Sequence, residues 1–324
     1  MISRRIFLGR AAAAMFAAPF VAEAQQSART VRIGYLGIAR GPLYDAFLRG
    51  MSELGYVEGK NIAVERRQYE GNIPRLPDLA AELVRLKVEV IFATGPAAVK
   101  AVANATREIP LVAIDLESDP IASGFAASIS RPGGNISGVF LDLPSLIGKW
   151  LEFLKAILPR LSRVAILWDP ATGEAQLAAA DAAAPSFGVQ LQILEVRGPE
   201  DFDRQFASAI RAHAEAMIQL SSPLMFLEAK RIAAFAVKNR LPAMSLFSVF
   251  PESGGLVSYG PDIADLYRRS GIYVARVLRG TRIGDLPIER PARFLLVINL
   301  KIAKVLRLTI PPSLLARADE VIHP

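Results

Sequence analysis

The sequence contains no cysteine and only two histidines, His213 and His323, among its 324 residues. The absence of cysteine excludes disulfides, thiolate-ligated zinc, iron–sulfur clusters, a cysteine nucleophile and a lipoprotein anchor. A metal site built from several histidines is excluded as well, since His323 lies in the tail and His213 is expected at the surface. We therefore expect no metal and no cofactor.

Several motifs of catalytic and nucleotide-binding proteins are also missing. The sequence contains no Walker A motif, no G-x-G-x-x-G after its first predicted strand, no H-E-x-x-H and no G-x-S-x-G. Almost without histidine, a general base would have to be an aspartate, glutamate or lysine. Four acids near predicted strand ends could serve, but helix capping or ligand contact explains them equally well. They are Asp115, Glu117, Asp119 and Asp169. This inventory disfavours an enzyme.

No segment reaches 18 uncharged apolar residues, which disfavours a membrane-spanning helix. The N-terminus instead has three arginines in residues 1–10, an uncharged stretch at 11–22 and a small-x-small pattern ending at Ala24. This order is typical of a secretory signal peptide, so we expect residues 1–24 to be removed and the soluble protein to reside in the periplasm. Arg4 and Arg5 favour the twin-arginine route, with an ordinary Sec signal as the alternative.

Positive charge is modest. Of the formal net charge of +7, +5 remains after residues 1–24 are removed, because that segment carries three arginines and one glutamate. The remaining basic residues are interleaved with acids and form no run of five. This pattern is typical of a solvated surface and disfavours a nucleic-acid partner.

Short apolar segments alternate with amphipathic helices along the chain, and the cycle restarts near residue 164. This alternation predicts an α/β fold with parallel sheets, and the length favours two similar lobes over one large sheet. Helices are expected at 96–105, 224–239 and 262–279, among others. The predicted strands are 31–36, 61–65, 88–93, 111–114, 136–141, 164–168, 189–196, 216–220, 242–246, 255–259 and 294–298.

Proline recurs where a predicted strand turns into a helix. The seven positions are Pro42, Pro74, Pro96, Pro120, Pro170, Pro199 and Pro223. Proline suits the first helical position, and ligands of open α/β sheets bind at the carboxyl ends of strands, where helix N-termini suit a carboxylate. We expect such an anion site at Thr94, Gly95 and Pro96. Favourable helix chemistry alone is the alternative explanation of these prolines.

Five longer segments resemble one known family. They are FLRGMSELGYVEGKN (47–61), RLPDLAAELV (75–84), SRPGGNISG (130–138), GGLVSYGP (254–261) and IPPSLLARADEVI (310–322). From residue 31 to the C-terminus the chain resembles ABC-transporter substrate-binding proteins related to the tryptophan/tyrosine uptake receptors.

The resemblance implies a type I periplasmic-binding-protein fold, with two Rossmann-like lobes joined by three crossovers and a ligand cleft between them. The N-terminal lobe would comprise 30–141 plus 260–288, and the C-terminal lobe 142–259 plus 289–324. The implied function is that of a monomeric periplasmic receptor, not an enzyme, that closes on a small solute. Its partners would be an ABC permease and ATPase at the inner membrane.

The resemblance also implies ligand contacts at the turns after strands. They are Gly37, Ile38, Ala39, Thr94, Gly95, Pro96 and the turn Glu117–Asp119 in the first lobe, and Trp168, Asp169, Ser221, Ser222, Phe247 and Tyr259 in the second. Relatives commonly have an acid where this chain has Ser222, and Asn where it has Asp169. An amino-acid ligand needs a carboxylate for its ammonium group, which leaves Asp169 or Asp119 for that role. The solute is thus expected to be an amino acid or another carboxylate-bearing molecule.

Two other functions remain open at this stage. A periplasmic sensor that presents its ligand to a signalling receptor would have the same fold, and an exported α/β enzyme is a further alternative.

Overall fold

Two β-sheets, each covered by helices, organise the structure, a computed structural model that describes residues 30–38, 41–141 and 144–324. The predicted signal peptide, residues 1–24, lies outside the described residues. The first sheet is fully parallel and contains β1 (Val31–Gly37), β2 (Ile62–Gln68), β3 (Val90–Thr94), β4 (Leu111–Asp115) and β5 (Ile136–Phe140). Its strand order is β2-β1-β3-β4-β5. We call this sheet and the helices packed on it the first lobe.

The second sheet, with its helices, forms the second lobe. Its strands are β6 (Arg163–Trp168), β7 (Gln190–Glu195), β8 (Ala216–Gln219), β9 (Ala243–Ser245), β10 (Val257–Pro261), β11 (Phe294–Asn299) and β12 (Glu320–Ile322), in the order β12-β11-β10-β9-β8-β6-β7. Neighbours are parallel except β10 and β11, which are antiparallel. The prediction of purely parallel sheets was therefore wrong for this pair, since an apolar strand reads the same in either direction.

The described helices bear out most of the sequence pattern, with several differences. They are α1 (Pro42–Ser52), α2 (Leu76–Arg85), α3 (Pro96–Ala105), α4 (Pro144–Ile157), α5 (Ala175–Ala183), α6 (Phe202–Arg211), α7 (Pro223–Leu227), α8 (Ala229–Lys238), α9 (Val249–Glu252), α10 (Ile263–Leu278), α11 (Leu300–Val305) and α12 (Pro312–Leu315). The helix expected at 224–239 is interrupted at Glu228, and α4 was not predicted. Pro120 starts a turn rather than a helix. Within the described ranges, no helix has the length and apolarity needed to cross a membrane.

The chain passes between the sheets three times: from β5 into α4, from β10 into α10, and through the segment that precedes β11. The second pass places α10 on the first lobe, against α1. Two glycines permit this close packing, because a Cβ at Gly50 or Gly271 would overlap backbone atoms of the opposite helix. The return segment hydrogen-bonds β5 through Glu289 before it reaches the second sheet.

Buried apolar residues form three clusters. One packs α2 and α3 on the outer face of the first sheet, and another packs α6 and α8 on the outer face of the second. The third and largest runs through both lobes, from Phe47 and Phe92 in the first to Val164 and Ile218 in the second, with Trp150 of α4 among them. This shared cluster continues from one lobe into the other, while carboxyl ends of strands from both lobes border a cleft.

Candidate ligand-binding site

A cavity of about 150 Å³ lies between the carboxyl ends of strands from both lobes. A cavity of this size, on the order of 150 Å³, encloses one benzene ring when its walls are apolar. Most of its walls here are apolar side chains, so we call it the apolar cavity. Its lining residues are Ile38, Pro42, Leu43, Thr94, Gly95, Ile114, Leu116, Glu117, Ile263 and Tyr267 of the first lobe, and Pro223, Phe226 and Phe247 of the second.

Aromatic rings form much of its wall. Phe226 of α7 and Phe247, which follows β9, meet edge to face with their centroids 5.2 Å apart. From the first lobe, Tyr267 of α10 is held by Phe92, whose ring it meets edge to face at 5.5 Å. These rings are fixed by their neighbours and present flat apolar surfaces, which suit a flat apolar ligand.

Glu117 is the acid that lines the apolar cavity. It follows β4, and its side chain is only 5% exposed. Its Oε1 accepts a hydrogen bond from Ser221 Oγ at 2.5 Å, and its Oε2 accepts one from the Leu116 N–H at 3.2 Å. Ser221 follows β8, so the first of these hydrogen bonds crosses the cleft from one lobe to the other. A buried carboxyl at the lobe boundary is thus held by a donor from each side.

Burial raises the pKa of Glu117 to about 8, and the nearby carboxyl groups of Asp115 and Asp169 raise it as well, whereas the hydrogen bond from Ser221 acts in the opposite direction. Among the described residues that line the apolar cavity, none is a lysine or arginine. A ligand that supplies a positive charge or a hydrogen-bond donor would therefore find its partner at Glu117.

Asp115 shapes the turn that carries Glu117. Its carboxyl group is fully buried, and its Oδ1 accepts the N–H groups of Glu117 at 3.1 Å and Ser118 at 2.9 Å. Burial raises the pKa of Asp115. These bonds fix the backbone after β4 in the orientation that directs the Glu117 side chain toward the second lobe.

The turn after β3 contributes Thr94 and Gly95 to the cavity. Gly95 has a φ of 88°, and a Cβ there would lie 3.0 Å from Cγ of Pro223 in the second lobe. Its N–H donates to the Ile114 carbonyl at 2.8 Å, and Pro96 has no N–H. Gly95 and Pro96 therefore offer no free backbone donor, which corrects that part of the sequence interpretation. The next N–H of this helix, that of Ala97, has no intrahelical acceptor.

A second cavity of about 140 Å³ adjoins the first, and Pro223 and its helix separate them. We call it the polar cavity, because Tyr69, Asp169 and Arg197 are among its lining residues. Asp169 Oδ1 accepts the Ala171 N–H at 2.9 Å, and its Oδ2 accepts Ser222 Oγ at 2.6 Å. Burial raises the pKa of Asp169. The Asp169 carboxylate thus has two partners from the second lobe itself.

The structure places some of the contacts expected from the sequence at the two cavities. Ile38, Thr94, Gly95 and Phe247 line the apolar cavity, while Pro96 and Asp169 line the polar cavity. Ser221 and Ser222 are fully buried at the boundary between the lobes, and Gly37 ends β1 beside Ile38.

Other expected contacts besides Gly37, Ser221 and Ser222 line neither cavity, and one is not described. Asp119 is exposed and accepts the N–H groups that follow it in its own turn. Trp168 Nε1 donates to the Gly173 carbonyl at 3.0 Å. Tyr259 packs between Phe153 and Phe294. Ala39 lies outside the described residues.

The sequence interpretation also missed residues that the cavity contains. Glu117 belonged to the expected contact turn Glu117–Asp119, but the role of ammonium partner was given to Asp169 or Asp119 instead, and Phe226 and Tyr267 were not considered. A signal for Glu117 was present, since it follows a fully buried strand by two residues. For Phe226, the signal was its position in the first turn of the helix that Pro223 begins.

Comparison with known proteins agrees with this architecture. Residues 38–322 match the family described as ABC transporter substrate binding protein. A tyrosine-binding protein of Clostridioides difficile (strain R20291) is 22% identical over 285 residues, which cover 86% of this chain and 82% of that protein.

Two solved structures share the fold. One is an ABC domain from Streptococcus pneumonia in complex with L-Trp, with a TM-score of 0.81 and 23% identity over 90% of this chain and 100% of that one. The other is a conserved domain protein from Vibrio cholerae, with a TM-score of 0.83, 23% identity and the same coverage. The predicted type I periplasmic-binding-protein fold is confirmed. Because the family match spans most of its length, the chain belongs to the family of ABC transporter substrate-binding proteins.

Proposed function

We propose that this protein is the periplasmic receptor of an ABC importer, and that it binds a small solute with a ring-sized apolar body and an ammonium group. The single observation that carries the proposal is Glu117, a buried carboxyl in a cavity whose other walls are mostly apolar and which contacts both lobes. The established membership in the substrate-binding family supports the role in transport, with a permease and an ATPase as partners of a monomeric receptor.

The apolar body of the ligand would fill the apolar cavity. Its volume suits one ring, and Phe226, Phe247 and Tyr267 supply aromatic surfaces around it. Relatives of this chain include a tyrosine-binding protein and a structure bound to L-Trp, both of which concern ligands with such a body. Enclosure of an apolar ring removes its surface from water and favours binding by about 25 cal/mol per Å² of area.

The ammonium group would meet Glu117. A carboxylate and an ammonium attract each other more strongly in a buried, low-dielectric site than in water, and nearby aromatic faces add a favourable cation–π term. A ligand with a carboxylate and no cation would instead place two like charges together at Glu117. If the ligand is an amino acid, its own carboxylate would lie toward the polar cavity, where Ala97 follows Pro96 in the first turn of α3 and has no intrahelical acceptor for its N–H.

Access to the cavity would require the lobes to separate. We propose that residues 30–141 plus 260–288 move as one body, and residues 142–259 plus 289–324 as the other. The three short passes between the sheets would act as the hinge, since a few residues at such passes can absorb the whole change in φ and ψ. Closure brings Glu117 to Ser221 and Gly95 to Pro223, and thereby encloses the ligand.

Export is part of the proposal. Residues 1–24 would act as a cleaved signal peptide, with Arg4 and Arg5 directing the twin-arginine route. The mature protein would then meet its solute in the periplasm.

A thermal-shift screen of residues 25–324 tests the proposed ligand class. The panel contains L-tryptophan, L-tyrosine, 2-phenylethylamine, benzoate and glucose. A ligand at 100 times its Kd adds about 2.7 kcal/mol to the free energy of unfolding, which moves the midpoint by several degrees. We expect stabilisation by the ammonium-bearing compounds and none by benzoate or glucose. Stabilisation by benzoate or glucose alone would overturn the assignment.

A further inference from the structure

Glu117 lacks the partner that a buried carboxylate ordinarily has. Its side chain is 5% exposed, and the polar groups that touch it are the neutral Ser221 hydroxyl and the Leu116 N–H. Buried ionised groups are normally paired with an opposite charge, because desolvation of an isolated charge costs several kcal/mol or more. A carboxyl group in this setting is stable either when it carries a proton or when a bound cation pairs with it.

The groups that face Glu117 from the surrounding elements add no positive charge. Asp115 precedes it on the same turn, and Asp169 faces it from the end of β6. Tyr69, after β2, and Tyr267, on α10, have pKa values raised by burial and are neutral. Arg197 lines the neighbouring polar cavity, but its side chain is 74% exposed and pairs with Glu195. The surroundings are therefore neutral or acidic on every side, which favours the protonated carboxyl.

We propose that Glu117 holds a proton in the closed, ligand-free cleft and releases it to solvent when an ammonium-bearing ligand binds. The inference rests on the proposed function, since it requires a cationic ligand. The O–H bond of the carboxyl breaks, its proton passes to water or buffer, and the ligand keeps its own ammonium protons. The resulting carboxylate pairs with the ammonium, so the number of charges buried without a partner does not rise.

This exchange makes affinity depend on pH in a direction set by its stoichiometry. Below about pH 8, where free Glu117 is protonated, each unit of pH increase removes a tenfold cost of proton displacement. The affinity for a cation therefore rises about tenfold per pH unit and levels off above that pH. A neutral ligand of the same shape displaces no proton, so its affinity does not rise with pH.

Calorimetry of residues 25–324 at pH 6.5, in two buffers of different ionisation enthalpy, tests the proposal. The probes are L-tryptophan, 2-phenylethylamine and the neutral isostere 2-phenylethanol. We expect the heat of binding of each amine to differ between the two buffers. The difference should equal the difference in buffer ionisation enthalpy multiplied by about one proton, because Glu117 is ionised only in the complex. The heat of 2-phenylethanol should be the same in both buffers.

The outcomes separate this inference from the proposed function. Amine binding with a buffer-independent heat would overturn the proton exchange and leave the proposed ligand class standing. A cleft that binds neither amine would overturn both. Proton release that persists at pH 9 would also contradict the assignment to Glu117, since this carboxyl is then ionised before the ligand arrives.

A matched pair of variants assigns the proton to its residue. Glu117→Gln should abolish proton release by any amine that still binds, while Asp119→Asn, an exposed acid two residues further on, should leave it at about one proton per ligand. If Glu117→Gln does not fold, infrared difference spectra of the unaltered protein provide the second readout. Binding of 2-phenylethylamine should remove a protonated-carboxyl C=O band and add a carboxylate band, and an unchanged carboxyl region would refute the proposal.

Discussion

Ser221 of the second lobe donates a hydrogen bond to Glu117 of the first lobe, with 2.5 Å between the two oxygens. Each residue follows a buried strand, β8 and β4 respectively, and each is fixed by its own lobe. Gln176 bonds the backbone of Ser221 on both sides, and Asp115 holds the turn before Glu117. The contact therefore depends on the relative position of two rigid supports, and it links closure of the cleft to the group expected to bind the ligand.

Ser221→Ala removes the hydroxyl donor, so Glu117 Oε1 loses its hydrogen bond from the second lobe. We expect weaker binding of an amine ligand, by about 1–3 kcal/mol, because a buried acceptor loses its partner. Titration calorimetry would show this as a Kd roughly 5- to 150-fold higher. Ser270→Ala is the control, since Ser270 is a buried serine whose Oγ bonds Leu266 within its own helix. Equal affinities for the two variants would contradict a role for Ser221 in closure.

The substitutions Asp169→Asn and Glu117→Gln are expected to affect different quantities, stability for the first and ligand affinity for the second. Asp169→Asn weakens contacts within the second lobe, to Ala171 and Ser222, so it should cost about 1–2 kcal/mol of unfolding free energy and change amine affinity little. Glu117→Gln removes the charge that meets the ammonium, which should cost about 2–5 kcal/mol of binding free energy. Urea unfolding and calorimetry of both variants measure the two effects. A larger loss of affinity in Asp169→Asn would restore the interpretation made from the sequence.

The stability of the ligand-free protein should fall between about pH 5 and pH 8. The pKa of Glu117 is about 8 in the folded protein, above the ordinary value of a glutamate, so the folded state binds more protons than the unfolded chain in this range. Stability decreases with pH wherever the folded state binds more protons. Thermal midpoints of the unaltered protein and of Glu117→Gln across this range test the sign. The variant should show the flatter profile, and parallel profiles would contradict it.

Gly95→Ala should impair closure as well as stability. Its φ of 88° is unfavourable for alanine, and the added Cβ would lie 3.0 Å from Pro223 of the other lobe. Gly173→Ala is a matched control, because Gly173 has a φ of 78° and no atom within 4 Å of a Cβ. Both variants should lose about 1 kcal/mol of stability from backbone strain. Only Gly95→Ala should also raise the Kd of an amine ligand, by tenfold or more, because its Cβ would meet Pro223 when the cleft closes.

Export provides a prediction independent of the cleft. A double variant, Arg4→Lys with Arg5→Lys, keeps the charge of the N-terminus but removes the twin-arginine pair. We expect the periplasmic amount to fall to a small fraction of the unaltered level while precursor accumulates inside the cell. Immunoblots of periplasmic and cytoplasmic fractions measure it, and normal export of the double variant would favour the Sec route.

Much of the fold could be read from the sequence because buried parallel strands are short apolar runs and helix starts carry proline. The strand expected at 111–114 is observed as Leu111–Asp115, and the helix at 96–105 has the expected bounds. Both signals are local, so no knowledge of the other lobe was required. The antiparallel direction of β11 depends on the path of the chain through the third pass, which no local pattern encodes.

The site was harder to predict for a related reason. Four acids follow strands or begin turns, and their local patterns are similar. Glu117 is buried, and Ser221 of the second lobe bonds its carboxyl group, whereas Asp119 is exposed and bonds N–H groups of its own turn. That difference arises only when two segments about a hundred residues apart in sequence meet, and the sequence alone does not show it.

The shared apolar cluster has a consequence for how the protein unfolds. The two outer clusters each belong to one sheet, whereas the largest runs from Phe92 in the first lobe to Ile218 in the second. Because this cluster continues across the lobe boundary, unfolding of either lobe would expose apolar side chains of the other to water, so neither lobe is expected to persist alone. Heating should therefore produce one cooperative transition, with equal calorimetric and van't Hoff enthalpies, in a chain whose two sheets would otherwise melt independently.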